Sequence, residues 1–442
     1  MIRRLLFMKT KPARSDISGG SVLAHMPAID GLRGIAILLV LIHHFTPQVS
    51  GPYWTRRALE AAHTGWIGVD LFFVLSGFLI TAILLKTRKS EDYFLNFYAR
   101  RTLRIFPVYY LTLVVLFLVV PVLLQTPILG PFVSHYFGKV IRDLPDLIQN
   151  QSWLWLYGTN LKVATEGERW GVVNHFWSLA VEEHFYLIWP LVVWFVSSRG
   201  QLIRICLVCI LSAPLLRGLL MLAGFDSVVP YVLTPCRVDS LAIGALVSIL
   251  ITDSYALKVW TRRSRVLALG ALTGLIILIA VYERFDRDDL WTTIGGYSLL
   301  AIFSAWLVLE AAQVHKGLGY RFMTNPVLTS LGRYSYGLYV THMFFVPAYD
   351  KVFGRDLLIR WTGSYNAAIL IYLVLAIACS WGIAWISYHA VEKHFLKLKM
   401  FFDYQRSPVP VSRPVSEKPS STGPLYPNAV AISPRQAMRQ AA

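Results

Sequence analysis

The chain has 442 residues, of which 55% are hydrophobic and only 15% are charged, and its formal net charge at pH 7 is +17. Soluble domains average about 25% charged residues, so this composition excludes an ordinary soluble domain and predicts a polytopic membrane protein. The basic excess does not indicate a nucleic-acid-binding protein, because the Lys and Arg residues lie in short runs between apolar stretches.

The two ends of the chain differ in composition from its centre. Residues 1–28 are polar and basic, and no small-residue cleavage site follows the first apolar run, so we expect no cleavable signal peptide. The residues after Met400 are rich in Pro and Ser and lack periodicity. We therefore predict a cytoplasmic segment (1–28), a membrane domain (29–400) and a disordered cytoplasmic tail (401–442).

Apolar runs recur along residues 29–400 at lengths that suit a membrane. A hydrocarbon core about 30 Å thick requires roughly 20 apolar residues in a helix, and runs of this length are too long for barrel strands. The predicted fold is therefore an all-α helical bundle with about ten transmembrane helices. The predicted spans are 29–46, 66–86, 105–125, 176–197, 201–223, 229–251, 266–282, 290–312, 327–348 and 365–391.

The distribution of Lys and Arg predicts the orientation of the bundle. If the N-terminus lies inside the cell, the inner connections carry about twice as many basic residues as the outer ones, as the positive-inside rule requires. Both termini are then cytoplasmic. The longest outer segment, 126–175, contains Trp153, Trp155 and Trp170. It could cap the bundle or hold a substrate, or its tryptophans could form a belt at the lipid surface.

Cysteine usage gives no indication of a metal centre or a disulfide framework. Cys206 and Cys209 form a Cys-x-x-Cys pair inside an apolar segment, where packing explains them better than redox chemistry does. The sequence shows no spacing typical of zinc ligands. We expect no metal and no permanently bound cofactor.

Ionisable residues in membrane segments are costly and therefore point to function. Arg33 and His44 both lie in the first span, eleven residues apart. At 100° per residue this separation is about 20° more than three full turns, so the two side chains share one helix face, about 16 Å apart along the axis. His43 points elsewhere on this helical wheel. The stripe places Arg33 near the inner end of the span and His44 near the outer end.

The predicted topology places six further ionisable residues at the depth of His44. Taken singly, each is better explained by a structural salt bridge or a helix cap, but together at one depth they predict a polar reaction chamber. A neutral His can deprotonate a hydroxyl, and a carboxylate can hold its ring in the required tautomer. The six residues are Asp70, Glu182, Glu183, Arg237, Asp239 and His342.

On the inner side, Arg100, Arg101 and Arg104 precede the third span. Arginine side chains bind phosphate groups well, so this cluster could hold the nucleotide of coenzyme A. Anchoring of the helix by positive charge on the cytoplasmic side is the alternative.

Several of these residues fall in short motifs whose order and spacing are together specific, although each motif alone is weak. With these motifs, residues 26–396 resemble the acyltransferase family 3 membrane proteins, which include O-antigen acetylases, peptidoglycan O-acetyltransferases, and nodulation-factor and macrolide acyltransferases. The motifs are Asp30-Gly31-Leu32-Arg33-Gly34 followed by His44, the stretch 68–78, Arg100-Arg101-x-x-Arg104, Trp177-Ser178-Leu179-x-Val181-Glu182-Glu183, Arg237-x-Asp239, Tyr334-Ser335-Tyr336-x-x-Tyr339-x-x-His342, and Glu392.

The resemblance implies a function and a location. It implies a ten-helix core in the inner (plasma) membrane, an acyl-CoA donor on the cytoplasmic side, acetyl-CoA by default, and transfer to a hydroxyl at or beyond the outer face. The acceptor would be a carbohydrate, a cell-surface polysaccharide or a glycolipid. One departure is His184, where relatives commonly carry glutamine, and it bears on the detail of the acceptor pocket.

From the residues and the resemblance together we assign expected roles. His44 is the expected catalytic base, supported by Glu182 or Asp70. Arg33, Arg101 and Arg104 are expected to bind the donor. The residues expected to contact the acceptor are Glu183, Arg237, Asp239 and His342.

A transporter or carrier that uses buried His, Glu and Arg for charge relay is the competing interpretation. Such proteins often contain inverted repeats, and no repeat is visible in this sequence. An intramembrane metalloprotease is excluded by the lack of a His-Glu-x-x-His motif.

Overall fold

A computed structural model describes residues 26–49, 52–168, 170–252, 254–283, 285–313 and 316–402. In these residues the chain forms helices and no β-strand, so the predicted all-α helical bundle is confirmed. Most of the predicted terminal segments 1–28 and 401–442 lies outside the described residues.

The α-helices are numbered in chain order. They are α1 (Pro27–Phe45), α2 (Tyr53–His63), α3 (Ile67–Thr87), α4 (Tyr93–Val114), α5 (Val120–Leu124), α6 (Leu129–Tyr136), α7 (Gly138–Gln149), α8 (Gln151–Trp155), α9 (Thr159–Glu166), α10 (Phe176–Phe195), α11 (Arg199–Leu222), α12 (Val228–Val232), α13 (Thr234–Ile251), α14 (Ser254–Tyr282), α15 (Tyr297–Gln313), α16 (Leu318–Met323), α17 (Pro326–Arg333), α18 (Ser335–Phe353), α19 (Arg355–Thr362), α20 (Tyr365–Ser387) and α21 (Lys393–Lys397). Three π-helical segments, Val115–Val119, Thr292–Gly296 and Tyr388–Glu392, adjoin α4, α15 and α20.

Eight helical stretches of the described residues are long and apolar enough to cross a membrane, so the predicted count of ten is not confirmed. The predicted spans 176–197 and 327–348 have no counterpart among the eight, although α10 and α18 occupy most of them. In α10, Glu182, Glu183 and His184 lower the apolar content. The eight stretches are Pro27–Phe45, Tyr53–Thr87, Tyr93–Leu124, Arg199–Leu222, Thr234–Ile251, Val259–Tyr282, Thr292–Gln313 and Tyr365–Phe401.

Helix α1 lies at the centre of the bundle and packs against α3, α17 and α18. It begins at Pro27, a residue suited to the first helical turn because it has no N–H to leave unpaired. It ends at Phe45 because Thr46 is extended (φ −70°, ψ 132°) and precedes a proline. His44 is therefore held in the last turn of α1.

Glycines allow the central helices to pack backbone against backbone. A Cβ atom on Gly34 of α1 would collide with the carbonyl oxygen of Leu328 in α17. In the same way, Gly77 of α3 faces the carbonyl of Leu241 in α13, and Gly244 of α13 faces that of Val74. Small residues at such crossings are typical of membrane helices, which cannot rely on the hydrophobic effect to associate.

The segment between α5 and α10 folds into the short helices α6 to α9, and two of its three tryptophans, Trp155 and Trp170, pack against the protein, whereas Trp153 is 38% exposed. Trp170 is only 1% exposed. The Trp155 ring stacks on Tyr110 at 5.7 Å between centroids, and the hydroxyl of Tyr110 donates to the Trp155 carbonyl. These contacts give Trp155 and Trp170 a packing role, as the capping interpretation predicts, and leave Trp153 at the surface.

We expect Gly77→Ala to destabilise the protein, because the new methyl group forces α3 away from α13. The expected loss is about 1–3 kcal/mol of unfolding free energy, the usual cost of overpacking, measured by thermal unfolding in detergent. Gly270→Ala in α14 is the matched control, since no heavy atom lies within 4 Å of its added Cβ. Equal stability of the two variants would show that the close approach of α3 and α13 is not required.

Candidate active site

Two polar cavities lie along α1 and share two lining residues, Val69 and Tyr339. The first, of about 90 Å³, is here called the arginine cavity, and the second, of about 280 Å³, the histidine pocket. The arginine cavity is lined by Arg33, Arg101, Arg104, Glu182, Glu183 and Ser335, among others. The histidine pocket is lined by His43, His44, His175, Glu168, Arg287 and Lys139, among others.

Arg33 and His44 thus open into different cavities at the two ends of one helix face. The helical spacing predicted this arrangement, with about 16 Å between the two positions at ~1.5 Å per residue. His43 also lines the histidine pocket, although the helical wheel placed it off the stripe; its Nδ1 contacts the carbonyl oxygen of His63 at 2.6 Å.

The hydrogen bonds of His342 determine the tautomer of His44. His342 Nδ1 lies 2.8 Å from the carbonyl oxygen of Tyr339 and 3.1 Å from that of Leu338. A carbonyl can only accept, so Nδ1 of His342 carries the proton, and in the neutral ring Nε2 is an acceptor.

His44 completes this chain of hydrogen bonds. Its Nδ1 lies 3.1 Å from His342 Nε2 and 3.0 Å from the Val40 carbonyl, and both of these atoms accept. Nδ1 of His44 is therefore the protonated nitrogen, and its Nε2 keeps a lone pair. This is the state that a general base requires, with His342 in the orienting position that a carboxylate fills in a Ser-His-Asp triad.

A third histidine completes the cluster at the wall between the cavities. The His175 ring centroid lies 4.8 Å from that of His342 and 6.3 Å from that of His44. The hydroxyl of Tyr339 donates to the His175 carbonyl at 3.1 Å and contacts the hydroxyl of Ser178 at 2.5 Å. These contacts hold the shared wall residue Tyr339 in place.

The arginine cavity holds three guanidinium groups. Arg33 donates from Nε and from a terminal nitrogen to the hydroxyl of Ser335, at 3.3 and 3.1 Å. Arg101 lies over the ring of Tyr186, with 3.7 Å from Cζ to the ring centroid, as in a cation–π pair. Arg104 lines the same cavity. The motif residues Arg33, Arg101 and Arg104 are thus brought together.

Carboxylates balance part of this positive charge. Glu182 accepts a hydrogen bond from the Ser76 hydroxyl at 2.6 Å, and Glu183 lines the same cavity. Glu392 is only 4% exposed and interacts electrostatically with Arg104 and Arg33. Glu182 does not line the histidine pocket, so the structure shows no direct contact through which it would support the His44 ring as predicted.

The expectation that Asp70, Arg237 and Asp239 share a chamber with His44 is corrected by the structure. Asp70 and Arg237, both fully buried, form an ion pair of 2.7 Å between α3 and α13, and Asp239 pairs with Arg217 at 3.0 Å. Neither the arginine cavity nor the histidine pocket includes these residues among its lining. A buried charge that forms an ion pair with a neighbouring helix is part of the helix packing and does not line a cavity. The predicted depth in the membrane was therefore not enough to identify the residues of the histidine pocket.

Aromatic rings surround the first of these ion pairs. The Arg237 guanidinium lies 4.2 Å from the ring centroid of Tyr297 and 5.3 Å from that of Tyr231. The hydroxyl of Ser240 donates to Asp70 at 3.3 Å. This geometry fits a structural clamp between α3 and α13.

Sequence reasoning missed an ion pair in the histidine pocket, Glu168 with Arg287, because both residues lie in connections where no periodicity marks them. The two guanidinium nitrogens of Arg287 contact the two carboxylate oxygens of Glu168 at 2.6 and 2.5 Å. Burial lowers the pKa of Arg287, but the hydrogen bonds that it donates to Glu168, together with the nearby charges of Glu168 and Asp288, outweigh burial and the pKa is raised. Arg287 therefore stays cationic near His44.

The helical bundle thus has a histidine with a free ring nitrogen at one cavity and clustered arginines at the next. The chain belongs to acyltransferase family 3: the family's model, described as an acyltransferase domain, matches residues 26–385. The resemblance to this family that the sequence motifs indicated is confirmed.

The chain is similar in sequence to O-acetyltransferases of Staphylococcus aureus. O-acetyltransferase OatA of strain NCTC 8325 / PS 47 is 30% identical over 342 residues, which cover 74% of this chain and 52% of the relative. OatA of strain COL gives the same values. The chain thus spans about half the length of the curated relatives it matches. No solved structure matches it.

We expect Asp70→Asn to lower stability by about 3–5 kcal/mol, because it leaves the Arg237 charge buried without its partner. Replacing both residues, as Asp70→Leu with Arg237→Met, should recover most of the loss. Thermal unfolding in detergent measures both variants, with Asp356→Asn, an exposed residue of α19, as the control. A stable but inactive Asp70→Asn protein would instead favour the catalytic role predicted for Asp70.

Proposed function

We propose that the chain is a membrane O-acyltransferase that moves an acyl group, acetyl by default, from acyl-CoA to a hydroxyl of a carbohydrate, a cell-surface polysaccharide or a glycolipid. The observation that carries this proposal is the hydrogen bond between His342 Nε2 and His44 Nδ1, which leaves Nε2 of His44 free to accept a proton. The S. aureus relatives are named O-acetyltransferases, and this supports acetyl as the group transferred.

The proposed reaction starts with the acceptor in the histidine pocket. Its hydroxyl gives its proton to His44 Nε2 as the oxygen attacks the thioester carbonyl carbon. The carbon–sulfur bond then breaks, and the CoA thiolate takes the proton back from the imidazolium. His342 stabilises the transient positive charge on His44 by accepting from its Nδ1–H, as the third member of a triad does.

The donor is proposed to approach from the arginine cavity. Its lining brings three guanidinium groups beside the carboxylates of Glu182 and Glu183, and Glu392 lies close enough to interact with two of the three arginines. Guanidinium groups bind phosphate through paired N–H donors, so Arg101 and Arg104 suit the anionic part of CoA. The pantetheine arm would then carry the thioester past Val69 and Tyr339 towards His44.

The proposed membrane arrangement follows from this division of roles. The arginine cavity faces the cytoplasm, where acyl-CoA is found, and the histidine pocket faces the outer side, where surface carbohydrates are built. Both termini are then cytoplasmic in the inner membrane, as the distribution of Lys and Arg favours.

We expect His44→Ala to reduce release of CoA thiol from acetyl-CoA by about 10²–10⁴-fold, the usual contribution of a general base. Purified protein is assayed in detergent with candidate polysaccharide or lipid-linked sugar acceptors. His135→Ala, at an exposed histidine of α6, is the matched control, and Arg33→Ala should raise the KM for acetyl-CoA.

Two outcomes would contradict the proposal. Wild-type turnover in His44→Ala would remove the base from the mechanism. If folded wild-type protein neither binds nor turns over acyl-CoAs of several chain lengths, the donor is misassigned, and the carrier interpretation replaces the enzyme.

The two variants His342→Leu and His342→Gln distinguish two roles for His342, orienting the His44 ring by a hydrogen bond or only packing against it. Leucine offers no acceptor to His44 Nδ1–H, so we expect turnover to fall by about 10²-fold. Glutamine places an amide oxygen near the former Nε2 and should keep turnover within about tenfold of wild type. The rates are measured by thiol release, and thermal unfolding of both variants is the control. Equal rates in the two variants of equal stability would exclude the orienting role.

A further inference from the structure

A third cavity, here called the apolar cavity, lies beside the histidine pocket and has a different chemistry. Its volume is about 340 Å³, and it is enclosed by α4 to α7, α18 and α20. Its lining is almost entirely hydrocarbon and includes Val108, Leu116, Val140, Phe344 and Phe345. It lies along Tyr93–Leu124, one of the stretches able to cross a membrane, so the hydrocarbon chains of lipids are its immediate surroundings.

The π-helical segment Val115–Val119 contributes Val115 and Leu116 to the lining of this cavity. Val115 and Leu111, one turn apart, both line the cavity and are 42% and 41% exposed. A π-helical turn in a long helix often marks a functional site. A lipid chain could therefore enter sideways from the membrane between these two residues.

The apolar cavity and the histidine pocket are neighbours across two separate helices. In α7, Lys139 lines the histidine pocket and the next residue, Val140, lines the apolar cavity. In α18, Met343 lines the histidine pocket and Phe344 the apolar cavity. The arginine cavity has no such pair of adjacent residues, so the apolar cavity is better placed for the tail of the acceptor than for the acyl chain of the donor.

Lys139 supplies a positive charge at this junction. It is exposed, and among the described residues it makes no ion pair. An ammonium group at the boundary between an apolar cavity and a polar pocket complements an anion that joins a hydrocarbon tail to a polar head.

We propose that the apolar cavity, Lys139 and the histidine pocket together bind one acceptor, a sugar joined through phosphate to a long hydrocarbon chain. The chain lies in the apolar cavity, the phosphate contacts Lys139, and a sugar hydroxyl reaches His44 Nε2. This inference rests on the proposed function and gives it a substrate class: the acyl group is added while the sugar is still attached to its membrane lipid.

The test measures binding without any acyl transfer. The probe is dodecyl phosphate, added to full-length protein held in amphipol so that no free detergent competes for the cavity. We expect Ser387→Phe, which fills the apolar cavity from α20, to weaken binding by at least about tenfold. Ile386→Phe is the matched control: Ile386 is 61% exposed to the membrane side, and its variant should bind within about twofold of wild type.

A second variant and a second probe guard against failure to fold and against non-specific binding. Thr341→Phe fills the cavity from α18, where the threonine hydroxyl donates to the Gly337 carbonyl of its own helix. Lys139→Gln should weaken binding of dodecyl phosphate several-fold and leave binding of dodecanol unchanged.

Three results would overturn the inference. The first is that dodecyl phosphate binds as tightly to folded Ser387→Phe and Thr341→Phe as to wild type. The second is that Ser387→Phe and Ile386→Phe lose binding affinity equally. The third is that Lys139→Gln still prefers dodecyl phosphate to dodecanol as strongly as wild type does. Thiol release from acetyl-CoA is measured on the same wild-type preparation. Turnover with no cavity-dependent binding refutes only this inference, whereas cavity-dependent binding with no acyl-CoA turnover refutes the proposed function.

Discussion

A charged side chain buried in a membrane bundle must find a partner there, and this constraint accounts for the arrangement of polar residues in the protein. Asp70 and Asp239 meet it with arginines of the core, Arg237 and Arg217, at 2.7 and 3.0 Å. Arg33 and Arg101 contact a serine hydroxyl and a tyrosine ring directly and interact electrostatically with Glu182, and these weaker pairings can be supplemented by a ligand. The strength of each pairing therefore separates structural charges from charges available to a substrate.

Helix α1 connects the two kinds of chemistry because it carries both Arg33 and His44. Its position is set by backbone contacts at Gly34, which leave no room for even one methyl group. A helix held this closely cannot shift by much, so the distance between Arg33 and His44 is fixed by the fold. The proposed donor site and the proposed base thus lie on one rigid element, as precise sites require.

The sequence predicted the parts of the site that follow from the geometry of one helix or from family motifs. The stripe of Arg33 and His44 required only the 100° rotation per residue, and the resemblance placed Arg101 and Arg104 with Arg33. The contact of His342 with His44 could not be derived, because it depends on how α18 packs against α1. The predicted depth was the same for His342 and Asp70, yet His342 contacts His44 whereas Asp70 pairs with Arg237 of α13.

The connections were the least predictable part of the site. Glu168 and Arg287 lie more than a hundred residues apart, in segments without periodicity, and only the folded chain shows that they pair beside the histidines. His184 was noticed as a departure from the family pattern, but not its contact with the hydroxyl of Thr234 at 2.8 Å. Long-range pairs of this kind leave no local pattern in the sequence.

The wall that Tyr339 and Val69 form between the two cavities has a consequence for the cell. A protein that passes acyl groups from one membrane face to the other contains polar space on both sides of the same barrier. Were that space continuous and filled with water, protons would leak through it and dissipate the membrane potential. The Tyr339 hydroxyl contacts Ser178 and donates to the His175 carbonyl, so its ring is held where the two cavities adjoin. In the proposed reaction the thioester passes this ring, and the same ring would then limit the passage of water and protons across the membrane.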